Sequence, residues 1–172
     1  LSWEEVVTLA HRLEEEGVNI ISTHFTWHEA KVPTIATMVP RAAFTRVTGR
    51  LRKEVNVPVI TSNRINMPDV AEAVLAEGRA DIVSMARPML ADSQFMVKAL
   101  EGREDEINTC IGCNQACLDH TFSGRQEVSC LVNPRACHET QLAYLPTDKA
   151  KKIAIVGAGP AGLAYATVAA ER

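Results

Sequence analysis

No stretch of this chain approaches the ~20 consecutive apolar residues that a membrane-spanning helix needs, so no membrane span is expected. A basic surplus is also lacking: 18 Lys and Arg stand against 21 Asp and Glu, a formal net charge of −3. Without spare cations to neutralise phosphates, nucleic acid is not expected as a main partner. No charged-then-apolar leader opens the chain. No secretory signal is therefore visible, and a cytoplasmic location is expected. Internal repeats and low-complexity tracts are missing. What remains, 47% hydrophobic and 23% charged residues, is the balance of an ordinary globular protein. The chain starts at Leu1 and stops at Arg172 within a helical pattern. It is expected to be an internal segment of a longer protein, inactive alone.

Cysteines are few, but all five fall in one short stretch, at 110, 113, 117, 130 and 137. A secreted disulfide scaffold would be smaller and would carry little else. Metal binding is the better reading of a local cluster in a chain of this kind. Cys110, Cys113 and Cys117 lie within eight residues, and Cys130 follows after twelve more. An iron–sulfur cubane needs four thiolates, one per iron, and a tight loop can supply three while a remote residue supplies the fourth. Gly112 lets the backbone wrap closely. Structural zinc more often takes two separated pairs, so the spacing favours a [4Fe–4S] cluster, with zinc as the alternative. Cys137 could replace Cys130 as the fourth ligand, but is expected to be a buried thiol.

The first hundred residues alternate helix and strand. Residues 2–16 read as a helix, with Val6, Leu9, Ala10 and Leu13 on one face. Ser2 and Glu5 have capping-box spacing, and Gly17 can end the helix in a left-handed turn. Residues 18–22 read as a strand and 23–40 as a loop. A helix is expected over 41–54 and a strand over 57–61. Asn66, Pro68 and Asp69 mark a helix start, with Val70, Val74 and Leu75 inward and Gly78 at the end. A strand follows over 81–85. Asp92 can cap the next helix, with Phe95, Met96, Ala99 and Leu100 inward. Short strands, apolar on both faces and separated by single helices, imply a parallel sheet covered by helices. A doubly wound sheet and a (β/α)₈ barrel both fit.

Two successive strands are each followed by an arginine, in Ser62-Asn63-Arg64-Ile65 and Ala86-Arg87-Pro88. In a (β/α)₈ barrel the active site lies at these strand ends, with phosphate groups beside the last two strands. Arginine grips phosphate with a planar fork of donors. The matching pair points to a phosphorylated cofactor and favours the barrel. His24 and His28 follow the first strand and can hydrogen-bond a carbonyl on which negative charge develops. Gly157-Ala158-Gly159-Pro160-Ala161-Gly162 follows an expected strand over 152–156 and opens a helix. That context makes GxGxxG a dinucleotide signal, with the pyrophosphate at the helix N-terminus.

Taken together, Trp27-His28-Glu29-Ala30, Asn63-Arg64-Ile65-Asn66, Ser84-Met85-Ala86-Arg87-Pro88, the segment from Ile107 to Asp119, the segment from Cys130 to Glu139 and the glycine loop resemble the bacterial 2,4-dienoyl-CoA reductases. These belong to the NADH:flavin oxidoreductase group that includes old yellow enzyme. The resemblance implies an α/β chain in three parts. Residues 1–105 would be the C-terminal portion of an FMN-binding (β/α)₈ TIM barrel. Residues 106–150 would carry the [4Fe–4S] segment and a linker. Residues 151–172 would begin a Rossmann-like FAD-binding domain. It further implies that Arg64, Ala86 and Arg87 hold FMN and that Cys110, Cys113, Cys117 and Cys130 bind the cluster. Gly157, Ala158, Gly159, Pro160, Ala161 and Gly162 would begin the FAD site, and His28 would orient a thioester carbonyl. The implied reaction is reduction of a 2,4-dienoyl-CoA to an enoyl-CoA in unsaturated fatty acid breakdown. Electrons would pass from NADPH through FAD, the cluster and FMN. The family's proton-donating tyrosine would lie upstream of Leu1, and the NADPH site downstream of Arg172. An amine dehydrogenase or enoate reductase of the same group is the alternative enzyme. A zinc-stabilised binding module is the alternative of another class.

Overall fold

The computed structural model describes residues 1–124 and 127–172. They fall into two compact units, Leu1–Cys137 and His138–Arg172.

In the first unit, α1 (Trp3–Glu15) opens with the expected reciprocal capping box. The Ser2 hydroxyl accepts the Glu5 N–H, and the Glu5 carboxylate accepts the Ser2 N–H. Gly17 follows at φ +87, a conformation that costs glycine little. The helix is fixed to the next unit of structure as much by polar contacts as by its apolar face. Glu14 accepts from the backbone N–H groups of Asn56 and Val57 at 2.6 and 3.1 Å, and the Arg50 guanidinium sits 4.0 Å over the Trp3 ring. Ala10 is buried, whereas Leu9 and Leu13 are exposed.

Three parallel strands follow in sequential order: β1 (Ile21–Ser22), β2 (Val59–Thr61) and β3 (Ile82–Val83). Ile21 pairs with Val59, and Ile60 with Ile82. Between them run α2 (Thr45–Leu51) and α3 (Pro68–Ala76), and after β3 come α4 (Arg87–Ala91) and α5 (Phe95–Leu100). Successive parallel strands joined by helices form a partial α/β region of the (β/α)₈ type. Asp81 ties two of the strands together. It takes the Val59 N–H at 2.9 Å and the Arg52 guanidinium at 2.8 Å, and these donors, Arg52 first, hold its carboxyl below the usual carboxylate range.

The core beside the sheet is part polar. Thr23, Thr48 and Thr61 are buried, and their hydroxyls form a chain with links of 2.8 and 2.9 Å. Thr23 ends that chain on the Ile60 carbonyl. Buried hydroxyls of this kind are tolerated because each has a partner. They couple α2 to the strand ends.

Several expected bounds shrink. Each strand is two or three residues long, because ladder pairing stops where the chain turns toward the strand-end loops. The helix expected over 41–54 covers only 45–51. Met67, not Asn66, caps α3, with no side-chain bond. Arg87–Ala91 is an unforeseen turn of helix, made possible by Pro88 in its first turn. Met96 and Leu100 point outward, while Phe95 is buried. Ile82 is exposed, so β3 is not apolar-buried on both faces.

Asp92 stands outside α5 and takes the Gln94 N–H, the Lys98 ammonium at 2.6 Å and the Asn108 N–H at 2.9 Å. It is only 4% exposed. Burial pushes its carboxyl upward, but the Lys98, Asn108 and Gln94 donors outweigh burial and hold it below the usual carboxylate range. A carboxyl depressed by folding contributes stability that is fully present above its unfolded value and is lost as pH falls through the folded one. Asp92→Asn is therefore expected to lower stability by about 1–3 kcal/mol at neutral pH. Its deficit against wild type, measured by thermal melts, should shrink as pH falls from the ordinary carboxylate range through the depressed folded value.

In the second unit, α7 (Pro160–Glu171) is capped by Gly159. Gly157 lies at φ +105, and a Cβ on Gly162 would collide with the Gly157 carbonyl oxygen. The expected strand over 152–156 is not formed among the described residues. A strand exists only through a hydrogen-bonded neighbour, and Val156 is fully exposed.

Candidate functional site

The chain leaves β2 through a strained turn. Asn63 and Arg64 both lie in the left-handed region, at φ +73 and +56. Such residues cost about 1–3 kcal/mol each and persist where surroundings over-determine them. Here the Arg64 carbonyl accepts the Ala42 N–H at 2.8 Å, and its Nε donates to the Val39 carbonyl at 2.8 Å. After β3, Ala86 precedes α4, and Arg87 donates to Asn114 Oδ1 at 2.7 Å and to the Ile35 carbonyl at 3.2 Å.

Arg64, Ala86 and Arg87 line a cavity with about 790 Å³ of atom-free space, part of it open to solvent. His24, Asn66 and Cys110 line it too. Desolvation first, then repulsion from Arg87 and from Arg41, holds the Arg64 guanidinium below its ordinary value. No carboxylate pairs with Arg64 or Arg87 among the described residues. Cations crowded together without anions suit an anionic ligand.

A second, narrower pocket lies alongside, with about 330 Å³ of atom-free space counted the same way. Cys110, Cys113, Cys117 and Cys130 all line it. The loop carrying the first two is clamped to the strand ends. Asn66 donates to the Cys110 carbonyl at 2.8 Å, and the Thr37 hydroxyl donates to the Ile111 carbonyl. Gly112 lies at φ +67, and a Cβ there would come within 2.8 Å of Arg64 Nη1. Asn114 then turns left-handed at φ +64 and starts a π-helical turn, Gln115–Asp119, that carries Cys117. Such turns recur at functional sites. A short helix, α6 (His120–Ser123), follows. Cys130 is brought back by the Ser129 N–H, which donates to the Ala116 carbonyl at 2.7 Å, and it forms an isolated bridge with Asn133, whose amide donates to the Leu90 carbonyl at 3.2 Å.

Burial raises the Cys130 thiol above its ordinary value, the N–H groups of Val132 and Asn133 oppose that, and Cys110 and Cys113 add to it. A bound cation would offset thiolate crowding of this sort. Among the described residues, no group of three or more His, Cys, Asp or Glu is arranged to hold a metal ion. The four cysteines line one pocket, the number of thiolates that a four-iron cluster takes at one per iron.

Arg87 and Cys110 line both cavities. His28 lines neither; its exposed ring lies 5.3 Å from that of Phe122. His24 lines the larger cavity, 3.4 Å from the Asn63 amide. Cys137 is exposed, which corrects the expectation of a buried thiol. Its φ of +65 belongs to a surface turn. The glycine loop belongs to the second unit. Among the described residues no helix is long and apolar enough to cross a membrane.

The chain is 46% identical over 168 residues to a metal reductase of Desulforamulus reducens, covering 98% of this chain and 25% of that protein. It is 37% identical to an NADH oxidase of Thermoanaerobacter brockii, over 98% of this chain and 26% of that protein. A 2-naphthoyl-CoA reductase solved as a complex with 2-naphthoyl-CoA superposes with a TM-score of 0.92 at 36% identity. That match covers 100% of this chain and 26% of the other. The chain thus spans about a quarter of the length of these relatives. Residues 4–106 match the NADH:flavin oxidoreductase / NADH oxidase family, and the chain belongs to that family of flavin-dependent oxidoreductases.

Proposed function

We propose that this chain forms the junction between an FMN-binding barrel and a [4Fe–4S] centre. The whole enzyme, in this reading, reduces a conjugated acyl-CoA thioester, a 2,4-dienoyl-CoA, with NADPH as electron donor. The observation that carries the reading is the wall common to the cationic cavity and the cysteine pocket, made by Arg87 and Cys110. When bound, FMN supplies hydride chemistry and the cluster supplies one-electron transfer.

The chain's own groups bind and orient. Cys110, Cys113, Cys117 and Cys130 hold the irons as thiolates. The Val132 and Asn133 N–H groups, already directed at Cys130, temper its charge. Arg64 and Arg87 face the FMN phosphate, with Ala86 beside them. Asn114 accepts from Arg87 and donates to the Ile35 carbonyl at 3.2 Å, which fixes the guanidinium plane. The loop after β1 supplies a ring to donate to the thioester carbonyl. His28 is the ring the sequence resemblance implies, and His24 is the ring that lines the cavity. Residues 157–162 begin the FAD pyrophosphate site, where a tight turn and the close approach at Gly162 leave backbone N–H groups open to an anion. In this reading the barrel portion ends at residue 105 and the cluster segment with its linker at residue 150.

The likeness to a reductase solved with an acyl-CoA supports the thioester substrate. A second reading, reduction of a metal ion, is favoured by the 46% identity to the metal reductase. Anaerobic turnover of the full-length protein with NADPH separates the two. Oxidation of NADPH that depends on a 2,4-dienoyl-CoA is expected. Turnover with ferric or chromate ions and none with any acyl-CoA would transfer the assignment to the second reading, and turnover with an amine alone would defeat both.

A further inference from the structure

Asn66 is 5% exposed and lies at the seam between the two cavities. Its amide nitrogen donates to the Cys110 carbonyl at 2.8 Å. That carbonyl accepts only, so the bond fixes which end of the amide is nitrogen. Its other end, Oδ1, is buried and has no hydrogen-bond partner among the described residues. The position is also not spent on helix capping, since Met67 caps α3 and no side chain bonds to that helix end. A buried acceptor without a donor is unfavourable, and native structures rarely leave one unexplained. Its neighbours in the fold, Ile65 and Thr61, are buried, and the Thr61 hydroxyl is engaged with Thr48. Asn66 lines the cationic cavity, so an occupant of that cavity is placed to bring the donor that Oδ1 lacks. A phosphate group accepts hydrogen bonds and cannot fill this role, whereas a ribityl hydroxyl or a flavin ring N–H can.

We infer that Asn66 is a positioning residue that couples the two centres. Its Oδ1 takes a hydrogen bond from a hydroxyl or ring N–H of the flavin in the cationic cavity, and its Nδ2 holds the backbone of Cys110. This inference rests on the reading that FMN and a cluster occupy the two cavities. One planar amide thereby links flavin occupancy to the seat of a cluster ligand.

The test uses full-length protein purified anaerobically, with FMN removed and restored. Two readouts are taken: the apparent Kd for FMN, from quenching of flavin fluorescence, and the cluster midpoint potential, from EPR-monitored titration with and without FMN. In the wild type, FMN is expected to shift the cluster potential. Asn66→Leu keeps the volume and removes both bonds. It should weaken FMN about tenfold and abolish the FMN-dependent shift while the cluster remains. Asn66→Thr keeps the pocket polar but cannot span both partners, and it should lose the shift as well should the leucine variant not accumulate. FMN affinity within twofold of wild type, or an FMN-dependent shift that survives either substitution, overturns the inference, because Oδ1 would then be served by solvent. Wild-type protein lacking FMN or iron would instead defeat the underlying reading, and that is measured before any variant is made.

Discussion

Replacing Cys130 with serine in the full-length protein is expected to strip it of iron and acid-labile sulfide and to abolish NADPH-dependent turnover. Three cysteines sit on one continuous run, the loop and π-helical turn of residues 110–119, whereas Cys130 comes from a separate segment, held to that turn by the Ser129 N–H on the Ala116 carbonyl at 2.7 Å. A cubane missing its remote ligand has one iron open to solvent and oxygen. Serine cannot compensate, because its hydroxyl ionises far less readily than a thiol even with the Val132 and Asn133 N–H groups in place. The informative companion is Cys137→Ser. Cys137 is exposed and does not line the pocket, so this variant should keep iron and sulfide at wild-type levels. Full iron in Cys130→Ser, or its loss in Cys137→Ser, would show that the fourth ligand has been misassigned.

The arginines are expected to matter nearly as much. A charge-assisted hydrogen bond contributes about 1.5–3 kcal/mol. Arg64→Ala and Arg87→Ala should each weaken FMN roughly tenfold to a hundredfold. Arg87 carries the larger penalty, since its removal also takes a donor from Asn114 Oδ1 and from the Ile35 carbonyl. Arg87→Lys should recover only part of the loss, because an ammonium lacks the planar fork of donors with which a guanidinium grips phosphate. Flavin stoichiometry after purification and fluorescence titration of the flavin-free protein measure this. Undiminished FMN in both alanine variants would mean that the cationic cavity serves another ligand.

Local chemistry was legible in the sequence where it is written in single residues or short spacings. The Ser2–Glu5 capping box, the left-handed Gly17, Pro at the start of α3 and the gathering of four cysteines at one pocket are all of that kind. Strand bounds were not, because pairing depends on where a distant neighbour turns away. Residues 152–156 have the composition of a strand, yet strand identity comes from a partner. The inward assignment of Met96 and Leu100 failed for a related reason: apolar spacing marks a face, but only tertiary context decides what covers it. Asn66 was passed over because asparagine before Pro68 already had a sufficient local explanation as a helix start. His24 and His28 were both visible in the loop after β1, but nothing in their spacing could say which ring reaches the cavity.

The left-handed turn at Gly112 has an evolutionary consequence. Any side chain at 112 must contend with a left-handed backbone and with a guanidinium within 2.8 Å of its Cβ. Because Nη1 is the far end of a flexible side chain, Arg64 can swing aside, and it is the left-handed backbone that reserves position 112 for glycine and lets the cysteine loop lie against the cationic cavity.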